Sequence, residues 1–278
     1  MNVLITGASG NLASGVVESL EDRYELRLSD VAPVVTKHQF VQADVRRRDD
    51  LIRAAEGMDI ILHTPAWHGI HLGSRTQSDF WELNVDGTFN LFQAAVANRV
   101  PKVVWISSMA VHSRDNIYGL SKFVGEELCQ FYHRTAGIRC IMLRPADFTP
   151  YRNRKHYAER LLHGGVDRRD VIAAAVLAVA NETVDCEAFA ILRQDPWTPD
   201  DVQEWPHDPF AVLERYVCGA RRLVERYGLS LAGRIGTSDI TAANAKLGYE
   251  PHHNFITFLR ELAERDALGD AAEWLQQR

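Results

Sequence analysis

Short apolar blocks recur along residues 1–145, and their spacing switches between a period of two and the helical period of about 3.6. Asn2–Thr6 (NVLIT) is an apolar run that ends at Gly7, and from residue 11 to 22 Leu12, Val16, Val17 and Leu20 return at helical spacing. A strand followed directly by a helix is therefore expected at the start. Glu25–Asp30, Gln39–Gln42 and residues 59–63, 102–107 and 138–143 are further strand-like runs bounded by turn or helix signals. Residues 49–56, 80–98 and 118–135 between them carry helical periodicity. This alternation predicts an α/β fold, a doubly wound parallel sheet with helices on both faces. Right-handed crossovers place the carboxyl ends of all strands along one edge, where such sheets bind ligands.

After Pro145 the pattern thins. A short basic helix is expected at residues 151–163, a helix at 170–181 and a strand near 187–193. The polar, tryptophan-bearing stretch DPWTPDDVQEWPHDP reads as a loop before an amphipathic helix at 210–227, with Phe210, Leu213, Tyr216, Val217, Ala220, Leu223 and Val224 on one face. Residues 1–145 thus read as the sheet domain. Residues 146–278 read mainly as a small lobe closing over the sheet edge, with some segments returning to the sheet. There are no internal repeats.

Composition narrows the class. At 278 residues and 46% apolar side chains the chain can bury a sizeable core. A formal charge of -6 without a long basic run leaves no footprint for nucleic acid or an anionic membrane. Arg46, Arg47 and Arg48, flanked by Asp44, Asp49 and Asp50, read as a solvated helix start. No apolar run approaches the roughly 20 residues that span a bilayer, and a strand starting at residue 2 leaves no room for a leader, so a cytoplasmic protein is expected. The four cysteines (Cys129, Cys140, Cys186, Cys218) lack C-x-x-C spacing and fit reduced thiols better than disulfides or zinc.

The first chemical signal is TGASGNLA at residues 6–13. Gly7 and Gly10 stand where a strand turns into a helix, with Ala13 at the third small position. Glycines there let the backbone approach a pyrophosphate, whose charge is favoured by the N–H groups of the helix start. Asp30 follows 20 residues after Gly10, at the end of the second strand. A carboxylate there can accept hydrogen bonds from ribose hydroxyls and repels a 2′-phosphate, and no arginine follows it closely, so NAD is favoured over NADP.

These residues, with others downstream, resemble the extended short-chain dehydrogenase/reductases, the NAD-dependent epimerase/dehydratase family, from residue 2 to about residue 258. HTPA (residues 63–66) stands where the family has H-L-A-A, NVDGT (84–88) matches N-V-x-G-T, and ISSMAVHS (106–113) matches S-S-x-A-V-Y-G. YGLSK (118–122) matches Y-x-x-x-K, LRPADFTP (143–150) is similar to L-R-P-x-N-V-Y-G-P, and SDITAANAKLGYEP resembles the family's D-x-S-K-A-x-x-x-L-G-W-x-P ending. The resemblance implies a Rossmann domain with a small C-terminal substrate-binding lobe. It places Gly7, Ser9, Gly10, Asn11, Leu12 and Asp30 on NAD, then Asp44 and Val45 against the adenine, then Thr64, Pro65, Ala66, Asn84, Ser107 and Pro145 together with Tyr118 and Lys122. It also implies a homodimer built on the helices that hold Asn84 and Tyr118.

A tyrosine four residues before a lysine is by default a packing contact beside a solvated charge. The resemblance makes Tyr118, Lys122 and Ser108 a catalytic triad. Tyr118 takes the proton of a substrate hydroxyl while hydride leaves the same carbon, Ser108 holds the oxygen, and Lys122 holds the nicotinamide ribose and lowers the tyrosine pKa. Ser108 is chosen over Ser107 because it stands three residues before Val111.

Departures from the family pattern bear on substrate. Dehydratases carry T-D-E where this chain has Ser108, Met109 and Ala110, so water elimination is disfavoured. Only ten residues separate Ser108 from Tyr118, and the segment after Pro145 is trimmed, so a compact substrate is expected: a free sugar, sugar acid or similar polyol, in the manner of uronate dehydrogenases. Trp67, His68, Met109, His112, Asp147 and Arg152 are the candidate substrate contacts, with Arg154 and Arg152 available to an anion. His63, His68 and His71 lack a carboxylate or thiolate at ligand spacing, and no metal is expected. Two alternatives stand beside a dehydrogenase: an NAD-dependent sugar or nucleotide-sugar epimerase, and a non-catalytic NAD(H) sensor. Such sensors commonly lose the tyrosine or lysine, and this chain keeps both.

Overall fold

The computed structural model describes residues 1–148 and 150–277, so Thr149 of the LRPADFTP motif lies outside the described residues. Seven parallel strands form one sheet: β1 (Asn2–Thr6), β2 (Glu25–Asp30), β3 (Gln39–Gln42), β4 (Ile60–His63), β5 (Lys102–Ile106), β6 (Arg139–Pro145) and β7 (Cys186–Ile191). Their order is β3-β2-β1-β4-β5-β6-β7. The winding reverses between β1 and β4, and the crevice at that reversal is where an open α/β sheet binds a ligand. Helices α1 (Asn11–Leu20), α2 (Arg48–Ala54), α3 (Gln77–Phe80), α4 (Gly87–Asn98), α5 (Ile117–Ala136), α6 (Arg154–Leu162) and α7 (Arg168–Ala180) follow in the same alternation. The remainder is α8 (Pro199–Glu204), α9 (Pro209–Glu214), α10 (Ala220–Tyr227), α11 (Thr241–Leu247), α12 (Phe255–Leu268) and α13 (Ala271–Trp274).

Alternate side chains of each central strand face opposite layers. Val3, Ile5, Leu62 and Val104 pack with α1, α7 and α11, whereas Leu4, Ile61 and Val103 pack with α2, α4 and α5. Burial on both faces explains why these strands read as continuous apolar runs rather than as alternating ones. A third core lies apart, where α6, α9, α10 and α12 enclose Trp205, Leu213, Leu223, Phe255, Leu259 and Trp274. After Pro145 the chain therefore serves two bodies: α7, β7 and α11 complete the sheet layers, and the other helices build the third core.

Three expected elements differ. Residues 80–98 are not one regular helix, because Trp81–Asp86 widens into a π-helical stretch before α4. Such bulges recur at functional sites. Here the wide turn holds Asn84 against the loop after β4. The helix expected at 210–227 breaks into α9 and α10 because Gly219 takes a left-handed φ of 76°, and Glu214 accepts hydrogen bonds from the Gly219 and Arg221 N–H groups at 2.8 and 2.9 Å. The loop DPWTPDDVQEWPHDP contains α8, started by Pro199 and by a reciprocal cap between Thr198 and Asp201. Its Trp197 and Trp205 are buried in the third core rather than presented to a ligand.

Candidate active site

The turn after β1 forms as the glycines require. Gly7 sits at φ 72°, and a Cβ there would come within 2.6 Å of Thr64 Oγ1 and 2.9 Å of the Pro65 nitrogen. The Gly10 N–H closes the turn on the Gly7 carbonyl at 2.9 Å. α1 then starts behind Gly10 with no side-chain cap and no acidic residue in its first turn. Its first N–H groups thus keep their attraction for an anion. They face a cavity of about 470 Å³, whose walls include Gly7, Ser9, Gly10, Asn11 and Leu12 from this turn.

The rest of that wall runs as the sheet dictates. Asp30, Asp44 and Val45 close one end, Thr64, Pro65 and Ala66 line the middle, and Trp67 and His68 stand beyond them. Asp30 is held by the Ser9 N–H (2.9 Å), the Ser9 hydroxyl (2.8 Å) and the Ala32 N–H (3.0 Å). Arg46 also lines the cavity and pairs with Asp44 at 2.6 Å, whose pKa this hydrogen bond lowers. Arg46, Arg47 and Arg48 are exposed at the start of α2, as the solvated-cluster reading expects, and the β3–α2 turn also brings Arg46 to the cavity rim. Phe148 and Pro150 line the same cavity from the start of the C-terminal segment. Nothing in their local sequence marks them, since only the path of the chain after β6 brings them there.

The cavity is not lined by the triad residues, which lie behind its wall. α5 is capped by Asn116, whose side chain accepts the Gly119 N–H at 3.0 Å, so Tyr118 and Lys122 follow one turn apart. Gly119 packs so closely that a Cβ would meet the Ser113 carbonyl oxygen at 1.9 Å and that of Ala110 at 2.6 Å. This contact fixes the short turn Met109–His112 against α5. Ser108 caps that turn, accepting the Ala110 N–H at 3.1 Å, and stands near enough to the Tyr118 phenol for its hydroxyl to act on the phenol's pKa. The His68 and Phe80 rings flank Tyr118 at 6.2 and 6.4 Å between centroids.

Electrostatics here depart from the simple triad picture. Burial raises the Tyr118 pKa above its ordinary value; the Ser108 hydrogen bond opposes this and the Asp147 charge adds to it. The expected depression by Lys122 is not seen. Lys122 instead donates to the Ile106 carbonyl at 2.8 Å, lies 4.8 Å from the Trp105 ring centroid, and is pulled down to about 7 by burial, with Glu126 and Cys129 opposing. Desolvation outweighs attraction in a site closed on this side. His68 is held near 4, first by burial and then by the Lys122 charge, so it is neutral at physiological pH.

Other candidates take structural positions. Ser107 donates to Glu126 at 2.5 Å, and Glu126 pairs with Arg144 at 2.5 Å, so Ser107 is spent in a buried network. Asn84 accepts the Trp67 N–H (2.8 Å) and donates to the Trp67 carbonyl (3.0 Å) and the Ser121 hydroxyl (2.9 Å), which clasps the loop carrying His68. Neither residue, nor Pro145, Met109 or the exposed His112, lines the cavity. Arg152 is exposed and also lines neither cavity, whereas Asp147 pairs with Arg160 at 2.5 Å on the wall of a second cavity. His63 is buried against Thr6 Oγ1 at 2.8 Å, and His71 accepts the His68 N–H at 3.0 Å. Among the described residues no group of three or more His, Cys, Asp or Glu side chains is placed to hold a metal ion. No helix among them is long and apolar enough to cross a membrane.

A parallel sheet with its glycine turn at the switch point defines a Rossmann chain. The chain belongs to the NAD dependent epimerase/dehydratase family, whose sequence model matches residues 3–170. It is 34% identical over 162 residues to a uronate dehydrogenase of Pseudomonas syringae pv. tomato, covering 51% of this chain and 58% of that one. It is 28% identical over 180 residues to the L-arabinose 1-dehydrogenase (NAD(P)(+)) of Haloferax volcanii, covering 51% and 65%. The chain thus spans less than two thirds of the length of these relatives. A short-chain dehydrogenase/reductase superfamily protein from Agrobacterium tumefaciens, solved with bound NAD, superposes with a TM-score of 0.72 at 19% identity, covering 98% of this chain and 99% of that one.

Proposed function

We propose that this protein is an NAD-dependent oxidoreductase that moves hydride between nicotinamide and a hydroxyl-bearing carbon of a sugar, sugar acid or similar compact polyol. The observation that carries the reading is the Ser108 turn fixed against α5 beside Tyr118, behind the wall of a cavity whose other end is an uncapped helix start. The residues present fit the cofactor. The α1 N–H groups receive the pyrophosphate, Asp30 the adenosine ribose, and Asp44 and Val45 the adenine. When bound, NAD supplies the hydride acceptor, and its positive ring adds the charge that Tyr118 lacks.

The chain's own groups then divide the work. Tyr118 Oη takes the hydroxyl proton, Ser108 Oγ holds the same oxygen, and Lys122 would hold the nicotinamide ribose. Asn84, through its clasp on Trp67, sets the loop that brings His68 over Tyr118. The similarity to uronate and arabinose dehydrogenases supports a small free sugar or sugar acid, as does the short run from Ser108 to Tyr118. The third core, built by α6, α8–α10, α12 and α13, serves as the substrate-binding lobe.

Two expected results test the parts of this reading outside the chemistry. Calorimetric titration gives NAD an affinity at least roughly tenfold above that of NADP, and Asp30→Asn narrows the gap, because the lost carboxylate no longer repels a 2′-phosphate. Equal affinities in the unmodified protein would remove Asp30 from this role. α4 and α5 expose Phe89, Val96 and Phe131 at 45%, 46% and 47%, which supports a homodimer closed across these helices. Light scattering then reads two chains per particle and Phe131→Glu splits them, whereas a monomer at assay concentration would argue against it.

A further inference from the structure

Lys122 is 2% exposed, deeper than a charge stands without compensation. Its ammonium donates to the Ile106 carbonyl at 2.8 Å and faces the Trp105 ring at 4.8 Å, and it makes no ion pair among the described residues. One turn further along α5, on the same face, stands Glu126, itself 4% exposed. Positions 118, 122 and 126 thus form one stripe of the helix, a phenol, an ammonium and a carboxylate in that order.

The carboxylate is tied on its other sides. Arg144 of β6 donates to it twice, from Nε at 2.8 Å and from Nη2 at 2.5 Å, and the Ser107 hydroxyl donates to it at 2.5 Å. The Ser107 N–H donates in turn to the Leu143 carbonyl at 2.7 Å. Lys122 and Glu126 therefore grip consecutive residues at the end of β5, one through the Ile106 carbonyl and the other through the Ser107 side chain. The next residue along the chain is Ser108. Trp105, which faces the Lys122 ammonium, is anchored in turn by its Nε1, which donates to Thr88 Oγ1 at 3.2 Å.

A buried ion pair seldom adds net stability over an apolar replacement, so stability alone does not account for Glu126 and Arg144 at this place. Charge supplies another role. Burial pulls Lys122 down to about 7, and Glu126 is the first group to oppose that fall, ahead of the buried thiol of Cys129. The other titratable groups that feel Lys122 give it no support. His63 of β4 and His68 of the following loop are held neutral, at about 3 and about 4, first by burial and then by the Lys122 charge itself.

We infer that Glu126 is a positioning residue for hydride transfer: it fixes the strand end that leads into Ser108 and holds the Lys122 ammonium in place behind the cavity wall, while Arg144 balances its charge on the far side. This role rests on the proposed oxidoreductase reading. Glu126 touches no reacting atom and acts through Ser107 and Lys122.

The test reads Lys122 directly. The chain has five lysines, so carbon-13-labelled lysine gives five Cε resonances, and the one absent from Lys122→Met belongs to Lys122. Its titration midpoint is followed in the unmodified protein and in Glu126→Gln, which keeps an acceptor for Ser107 and loses the charge. A second variant, Glu126→Gln/Arg144→Gln, also removes the guanidinium that the first leaves without a counter-charge, and melting temperatures show that each protein is folded. In both variants the Lys122 midpoint is expected to fall by about one pH unit or more, the effect of losing a nearby opposite charge. Lys102, which donates to the Val179 and Asn181 carbonyls, keeps its midpoint and serves as the control. At pH 7 a one-unit fall leaves roughly a tenth of the Lys122 side chains charged instead of half, so kcat for any sugar turned over falls about fivefold while KM stays within about twofold. A folded double variant whose Lys122 midpoint stays within about 0.3 unit would overturn the inference, as would an unaltered kcat despite a shifted midpoint. If no sugar yields NADH, the oxidoreductase reading fails separately, and the Lys122 titration alone decides whether Glu126 holds that charge.

Discussion

Tyr118→Phe is expected to lower kcat by a factor of about 10² to 10⁴, the range for a positioned acid–base group, while leaving NAD affinity within about threefold. The substitution removes one oxygen from a side chain whose ring stays packed between His68 and Phe80, so the fold has no cause to change. What it removes is the hydroxyl whose pKa Ser108 acts on. The pH profile is part of the same prediction. Burial holds the phenol above its ordinary pKa, so the proton must leave against that shift, and the oxidation rate rises with pH on the alkaline side. Steady-state kinetics across that range check it. A pH-independent rate and an unaffected kcat in Tyr118→Phe would place the proton transfer elsewhere.

Gly119→Ala has the second large effect, on architecture. Its added methyl group would lie 1.9 Å from the Ser113 carbonyl oxygen and 2.6 Å from that of Ala110, and both obstacles are backbone rather than flexible side chain. The turn holding Ser108 must therefore separate from α5. The expected cost is about 3 kcal/mol or more, seen as a fall of roughly 6–12 °C in melting temperature for a chain of this size. Catalysis falls with it, because that contact sets the turn that begins at Ser108 against the helix that carries Tyr118. A melting temperature within about 2 °C of the unmodified protein would show that the turn moves aside freely.

The sequence carried the sheet well because both of its signals are local. β1, β4 and β5 are largely apolar runs, β2 and β3 mix apolar with polar positions, and each is bounded by turn or helix signals, so β1, β2 and β3 fall where the pattern puts them. The helices of the third core were less legible. α9 and α10 share one apolar face across the break at Gly219, so periodicity sees a single helix where the backbone turns. α12 and α13 went unassigned, although they supply Phe255, Leu259 and Trp274 to that core.

The site divides in the same way. Gly7, Gly10, Asp30 and the residues after β4 were readable because a strand end and a fixed offset place them on the ligand edge. Arg46, Phe148 and Pro150 were not, because they reach the cavity through the path of loops. The helix starts at Arg154 and Arg168 show a further reason. A basic helix start looks solvated in one dimension, and only the packing of α6 and α7 shows that two of them face one cavity. Arg152, named together with Arg154 for an anion, stands exposed and lines neither cavity.

NADH absorbance, followed with purified protein, NAD and a panel of free sugars, uronates, sugar phosphates and polyols, tests the central claim most directly. The account predicts NADH formation with at least one compact sugar or sugar acid, abolished by Tyr118→Phe. Tight NAD binding with no turnover of any member of the panel, and no difference between Tyr118→Phe and the unmodified protein, would contradict it and leave a cofactor sensor in its place.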